Sequence, residues 1–151
     1  MQPLYIVPML IELTASTLLV LATVLLHGVG LGVMGKFLSA EIEEETREHL
    51  PPLSLRALVF TCGVVLGLTI LHGLEIWGYA FFYLSVGALH DLKKAVYLST
   101  IAYGTVGFDD EGLRQSWEMV VAIEGINGVI LLGWSTAFFV TIITRLGRRR
   151  S

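Results

Sequence analysis

The chain has 151 residues, 54% of them apolar and only 15% charged, with a mean hydropathy of +0.73; a soluble domain is about 25% charged, so that class is excluded. The net charge of −3 says little here, because where the charges lie matters more than their sum; no nucleic-acid partner is expected, and the single Cys62 excludes an intrachain disulfide or a cysteine metal cluster. The charges are clustered, leaving apolar runs of the roughly twenty residues that cross a hydrocarbon core of about 30 Å. The composition predicts an all-α integral membrane protein.

The first apolar segment occupies residues 1–35, with Glu12 and His27 as its ionisable interruptions. The start Met-Gln-Pro lacks the basic region of a cleavable signal, which predicts a retained transmembrane helix. Gly28-x-x-x-Gly32 offers a groove for close helix approach. Residues 36–55 are polar and acidic, with Glu41, Glu43, Glu44, Glu45 and Glu48. A capping pattern at Ser39 and a stop at Pro51-Pro52 predict a short surface helix there, separate from the first span.

An outer helix is expected over about 56–89, with an aromatic belt at Trp77–Tyr83. His72 and Glu75, three residues apart, share a helix face and suit mutual support or pH sensing. Residues 91–104 are too short and too polar at one end to span, and fit a re-entrant helix followed by a turn at 105–110. Non-helical backbone at membrane depth survives only inside protein or beside a water-filled cavity. A last helix is expected over about 115–145, with a basic tail at 147–151. On it Glu124 and Asn127 share a face, suited to hydrogen bonding behind the turn.

The stretch Tyr97-x-Ser99, then Gly104-Thr105-Val106-Gly107-Phe108-Asp109-Asp110, resembles the pore helix and selectivity filter of the two-helix, pore-loop potassium channels, including small prokaryotic members. Relative to that pattern, Gly104 replaces a threonine, Phe108 a tyrosine and Asp109 the second glycine. The resemblance covers about residues 56–143 and implies a homotetramer with one added N-terminal helix. It implies a backbone-carbonyl filter at Thr105, Val106, Gly107, Phe108 and Asp109, with Asp110 and Glu111 as an acidic outer mouth. It also implies a hinge at Gly128 and an inner-pore stripe of Leu132, Thr136 and Phe139, the last a hydrophobic gate.

The expected function is a tetrameric cation channel, most simply potassium-permeable, with self, membrane lipids and monovalent cations as partners and no cofactor. A weakly selective channel and a non-conducting channel-like partner subunit fit the same residues. His27, His72, Glu12 and Glu75 are ligand types that zinc accepts, but no nucleophile–base pair or His-Glu-x-x-His spacing occurs, so neither an enzyme nor a metal site is expected. Lys36, Arg47, Arg56, Arg145 and Arg148–Arg150 fall on one side of the spans, and Lys93, Lys94 and Arg114 on the other. The positive-inside rule then predicts a cell (inner) membrane protein with its N-terminus outside and its C-terminus cytoplasmic.

Overall fold

The computed structural model describes residues 6–47, 55–107, 113 and 117–148, and all their regular structure is helical. The elements are α1 (Ile6–Arg47), α2 (Leu55–Ser85), α3 (Leu92–Tyr103) and α4 (Glu118–Arg148). Three segments within α1, α2 and α4 (Met9–Leu38, Leu58–Ser85 and Glu118–Thr144) are long and apolar enough to cross a membrane. The architecture is that of a multi-pass all-α membrane protein.

One expectation is corrected. α1 does not stop near Gly35; it continues as one helix through Arg47, so no separate surface helix begins at Ser39. The glutamate-rich stretch is a good helix former throughout, and a capping-type serine does not break a helix that is already propagating. The Pro51-Pro52 stop lies outside the described residues.

α1 and α2 run antiparallel. A Cβ added to Gly30 would meet Leu71, and one added to Gly67 would meet Met34. α1 and α4 run parallel, because the backbone N–H of Met119 donates to Glu12 Oε2 at 3.2 Å and Gly28 lies beneath the Trp134 ring. Glu12 therefore satisfies a free N–H in the first turn of α4, where a carboxylate also complements the helix dipole. The stripe α1 turns inward is Ser16, Thr23, His27 and Leu31, recurring every four or seven residues.

α3 turns back along α2. After Ser85 the chain reverses through Gly87, at φ +66, with Ala88 and Leu89 N–H both reaching the Tyr83 carbonyl. Asp91 then caps α3, its carboxylate accepting from the Lys94 N–H at 2.8 Å. The buried core between α2, α3 and α4 is built from Tyr79, Tyr83, Leu98, Ala102, Val120 and Val121, closed at one end by Leu89. Phe82 meets Trp117 edge-on at 5.3 Å.

Candidate functional site

The site is built on the C-terminal end of α3. The N–H of Val106 donates to the Ile101 carbonyl at 2.9 Å, and that of Thr105 to the Ala102 carbonyl at 3.0 Å. These two bonds form a Schellman motif, which requires a left-handed residue after the cap. Thr105 fills that position at φ 55, where glycine is usual and a β-branched residue is strained. Gly107 follows at φ 136, a conformation open in practice to glycine alone. The turn Thr105–Gly107 is exposed, Val106 at 80%.

Two glycines let α4 approach this turn. A Cβ on Gly125 would lie 3.2 Å from the Ala102 carbonyl oxygen. One on Gly128 would lie 2.9 Å from the carbonyl carbon of Tyr103 and overlap its oxygen. Gly128, expected as a hinge, thus serves packing, since the backbones of α3 and α4 touch there.

A first buried polar network fastens the middle of α3. Glu124 accepts from the Tyr83 hydroxyl at 2.6 Å through Oε2 and meets Ser99 through Oε1. Ser99 Oγ also lies 2.9 Å from the Ile76 carbonyl of α2. Next to it, Asn127 Nδ2 donates to Thr23 Oγ1 at 2.8 Å and to the Tyr79 hydroxyl at 3.2 Å. Glu124 and Asn127 are buried and tie α4 to α1, α2 and α3.

A second network surrounds Glu75. Its Oε1 lies 2.7 Å from His27 Nδ1, and its Oε2 lies 3.2 Å from His72 Nδ1 and accepts from the Tyr103 hydroxyl. Tyr103, the last residue of α3, also meets His72 Nδ1 at 2.8 Å. Ser135 of α4 closes the ring, its Oγ 3.2 Å from His27 Nε2 and 3.0 Å from His72 Nε2. All four helices meet in this cluster. His27 and Glu75 are fully buried, and His72 is nearly so.

A cavity of about 290 Å³ flanks the turn, lined by Ile101, Ala102, Thr105, Ala122, Ile126 and Val129 among others. The expected inner-pore stripe lies elsewhere. Leu132, Thr136 and Phe139 line a different cavity, of about 250 Å³, facing Val65, Thr69 and His72 of α2. The difference is one of depth along α4. Ala122, Ile126 and Val129 stand level with the end of α3, where Gly125 and Gly128 touch Ala102 and Tyr103. Leu132, Thr136 and Phe139 stand further along the helix, level with Val65, Thr69 and His72 of α2, and Thr136 shares a face with Val129, seven residues before it.

A scan against protein-family models, a search of curated proteins and a search of solved structures each return no match. Function therefore rests on the site. Phe108, Asp109, Asp110 and Glu111 lie outside the described residues. Thr105, Val106, Gly107, His72, Glu75 and Gly128 gather around the end of α3, while Glu124 meets the middle of α3 at Ser99 and Asn127 bonds α1 and α2 at Thr23 and Tyr79. Reasoning from sequence does not find the bonds that Tyr83, Ser99, Tyr103 and Ser135 make. Their signal is faint: small hydroxyls and tyrosines in apolar helices, positions where interhelical hydrogen bonds are commonly made.

Proposed function

We propose that copies of this chain assemble, as a tetramer, into a cation channel in which Thr105, Val106, Gly107 and the residues that follow form the ion path. One observation carries this reading. α3 returns only as far as the middle of α2, where Tyr103 meets His72 and Glu75, and ends in an irregular turn whose Val106 is 80% exposed. Backbone of that kind inside an apolar span must be covered by protein or line a cavity. A ring of identical turns around an axis meets both demands at once, and its carbonyls can replace the hydration shell of a cation.

Further features fit. The C-terminal end of α3 carries the negative end of its dipole, which favours a cation below it. Asp109, Asp110 and Glu111 add carboxylates to one end of the path, which concentrates cations there. The cavity beside the turn is lined from α4 by Ala122, Ile126 and Val129, which become the inner wall of the pore. With the basic residues held inside, the N-terminus lies outside and the C-terminus in the cytoplasm of the cell. Potassium is the favoured ion on the Thr-Val-Gly sequence.

Purified protein in liposomes, loaded with potassium and diluted into a potassium-poor buffer, tests the proposal. Cation efflux is expected from wild type and is lost in Gly107→Val, in which a branched side chain meets φ 136. Asp109→Gly is expected to raise the potassium-over-sodium permeability ratio. Equal, negligible efflux from wild type and Gly107→Val overturns the channel.

A further inference from the structure

The cluster of His27, His72 and Glu75 is one hydrogen short when Glu75 is charged, and its ligand-type atoms lie close together. Its contacts are Ser135 with His27, Ser135 with His72, His27 with Glu75, His72 with Glu75 or Tyr103, and Tyr103 with Glu75. Those are five contacts, and each needs one hydrogen. Two neutral imidazoles and two hydroxyls supply four. With a charged Glu75, one nitrogen lone pair of His27 or His72 is left facing an oxygen lone pair in a largely buried place, an arrangement that buried polar groups avoid.

We propose that a divalent transition-metal ion of the zinc class occupies this cluster, held by His27, His72 and Glu75. One donor atom from each residue lies within 4.8 Å of the other two. The Nδ1 atoms of both rings face the two oxygens of Glu75. Two imidazoles with one carboxylate form a donor set that zinc takes up readily. The imidazole and tyrosine hydrogens then all find acceptors. Each ring is neutral, gives its Nδ1 lone pair to the ion and donates Nε2–H to Ser135 Oγ, an oxygen with two lone pairs. Tyr103 donates to Glu75. The serine and tyrosine serve as the outer partners that orient metal ligands.

An added proton, on Glu75 or on one ring, would also fill the deficit, and the titration below separates that case from the ion. Both rings turn Nδ1 toward Glu75 and Nε2 toward Ser135, as two ligands of one ion do, and His72 Nδ1 also lies 2.8 Å from the Tyr103 hydroxyl. A route for the ion exists, because His72 and Ser135 line the cavity of about 250 Å³ between α2 and α4. Neither the site nor its test depends on the channel reading. Through Tyr103, however, the ion would bear on the residue that ends α3.

Full-length Cys62→Ser protein, which removes the exposed thiol as a competing ligand, is purified in detergent and washed with chelator. It is then titrated with Zn2+ alone against a chromophoric chelator, and separately with Co2+ alone. Equimolar zinc and the intense visible bands of four-coordinate cobalt are expected. Both are lost in His72→Ala and Glu75→Gln with helical content unchanged. Tyr103→Phe keeps the stoichiometry and binds about 10- to 100-fold more weakly. A folded protein that takes up no zinc and leaves cobalt in its aqueous spectrum overturns the site and leaves the proton. Binding that survives both substitutions overturns it too. If the variants do not fold, the wild-type cobalt spectrum decides by itself. Zinc binding without ion flux would refute the channel and keep the site; flux without zinc binding would do the reverse.

Discussion

Gly128 of α4 rests against the main chain of Tyr103, so closely that a Cβ there would lie 2.9 Å from the carbonyl carbon and 3.0 Å from the Cα. The obstructing atoms are backbone at the end of α3, which cannot rotate aside. Gly128→Ala therefore pushes α3 and α4 apart and should lower stability by about 3 kcal/mol. Thermal unfolding in detergent reads this as a marked fall in Tm. Gly133→Ala, at a position with open space around it, serves as the control and should change Tm little.

Thr105 gives a prediction of opposite sign. It holds the left-handed position of the Schellman motif at φ 55, and glycine would remove the strain. Thr105→Gly should stabilise the protein by about 1 kcal/mol. If the threonine hydroxyl and carbonyl line the ion path, the same variant loses cation selectivity. Unfolding and flux measured on one preparation would separate the two effects.

Ser99 has one hydroxyl hydrogen but faces two acceptors, the Ile76 carbonyl and Glu124 Oε1. Glu124→Gln supplies an N–H toward Ser99 and frees that hydrogen for Ile76. The variant should fold with stability within about 1 kcal/mol of wild type. Glu124→Leu leaves Ser99 the Ile76 carbonyl but strands the Tyr83 hydroxyl, and should cost about 1–3 kcal/mol. Denaturation of the two variants side by side checks the ordering.

Much of the fold was legible in the sequence because the bilayer imposes length and composition on its helices. The outer helix expected at 56–89, the short helix at 91–104 and the inner helix at 115–145 correspond to α2, α3 and α4. The continuation of α1 through Arg47 was not legible, since Gly35 and Ser39 look the same in sequence whether a helix stops or passes through. At the site, the pairing of His72 with Glu75 follows from helical spacing, as does the shared face of Glu124 and Asn127. The meeting of His27, Tyr103 and Ser135 with that pair was hidden, because residues on three other helices come together only through packing. The level at which α4 meets the turn was hidden for a similar reason. Spacing defines the faces of α4, but only the contact of Gly125 and Gly128 with α3 tells which of its turns stands beside Tyr103.

That placement is testable. In a Cys62→Ser background, cysteines at Ile126 and Val129 should react with a water-borne cationic thiol reagent and block flux, because they stand beside the turn. Cysteines at Leu132 and Phe139 should leave flux unchanged, because they line the cavity facing α2. Block from the second pair and none from the first would restore the stripe expected from sequence.

The central claim is that the turn after α3 conducts cations, and the most direct measurement is the reversal potential of purified wild-type protein in a planar bilayer. With potassium on one side and sodium on the other, a cation current is expected, reversing at a voltage that favours potassium. A bilayer that stays silent with folded protein inserted, or a current carried by anions, would contradict the account.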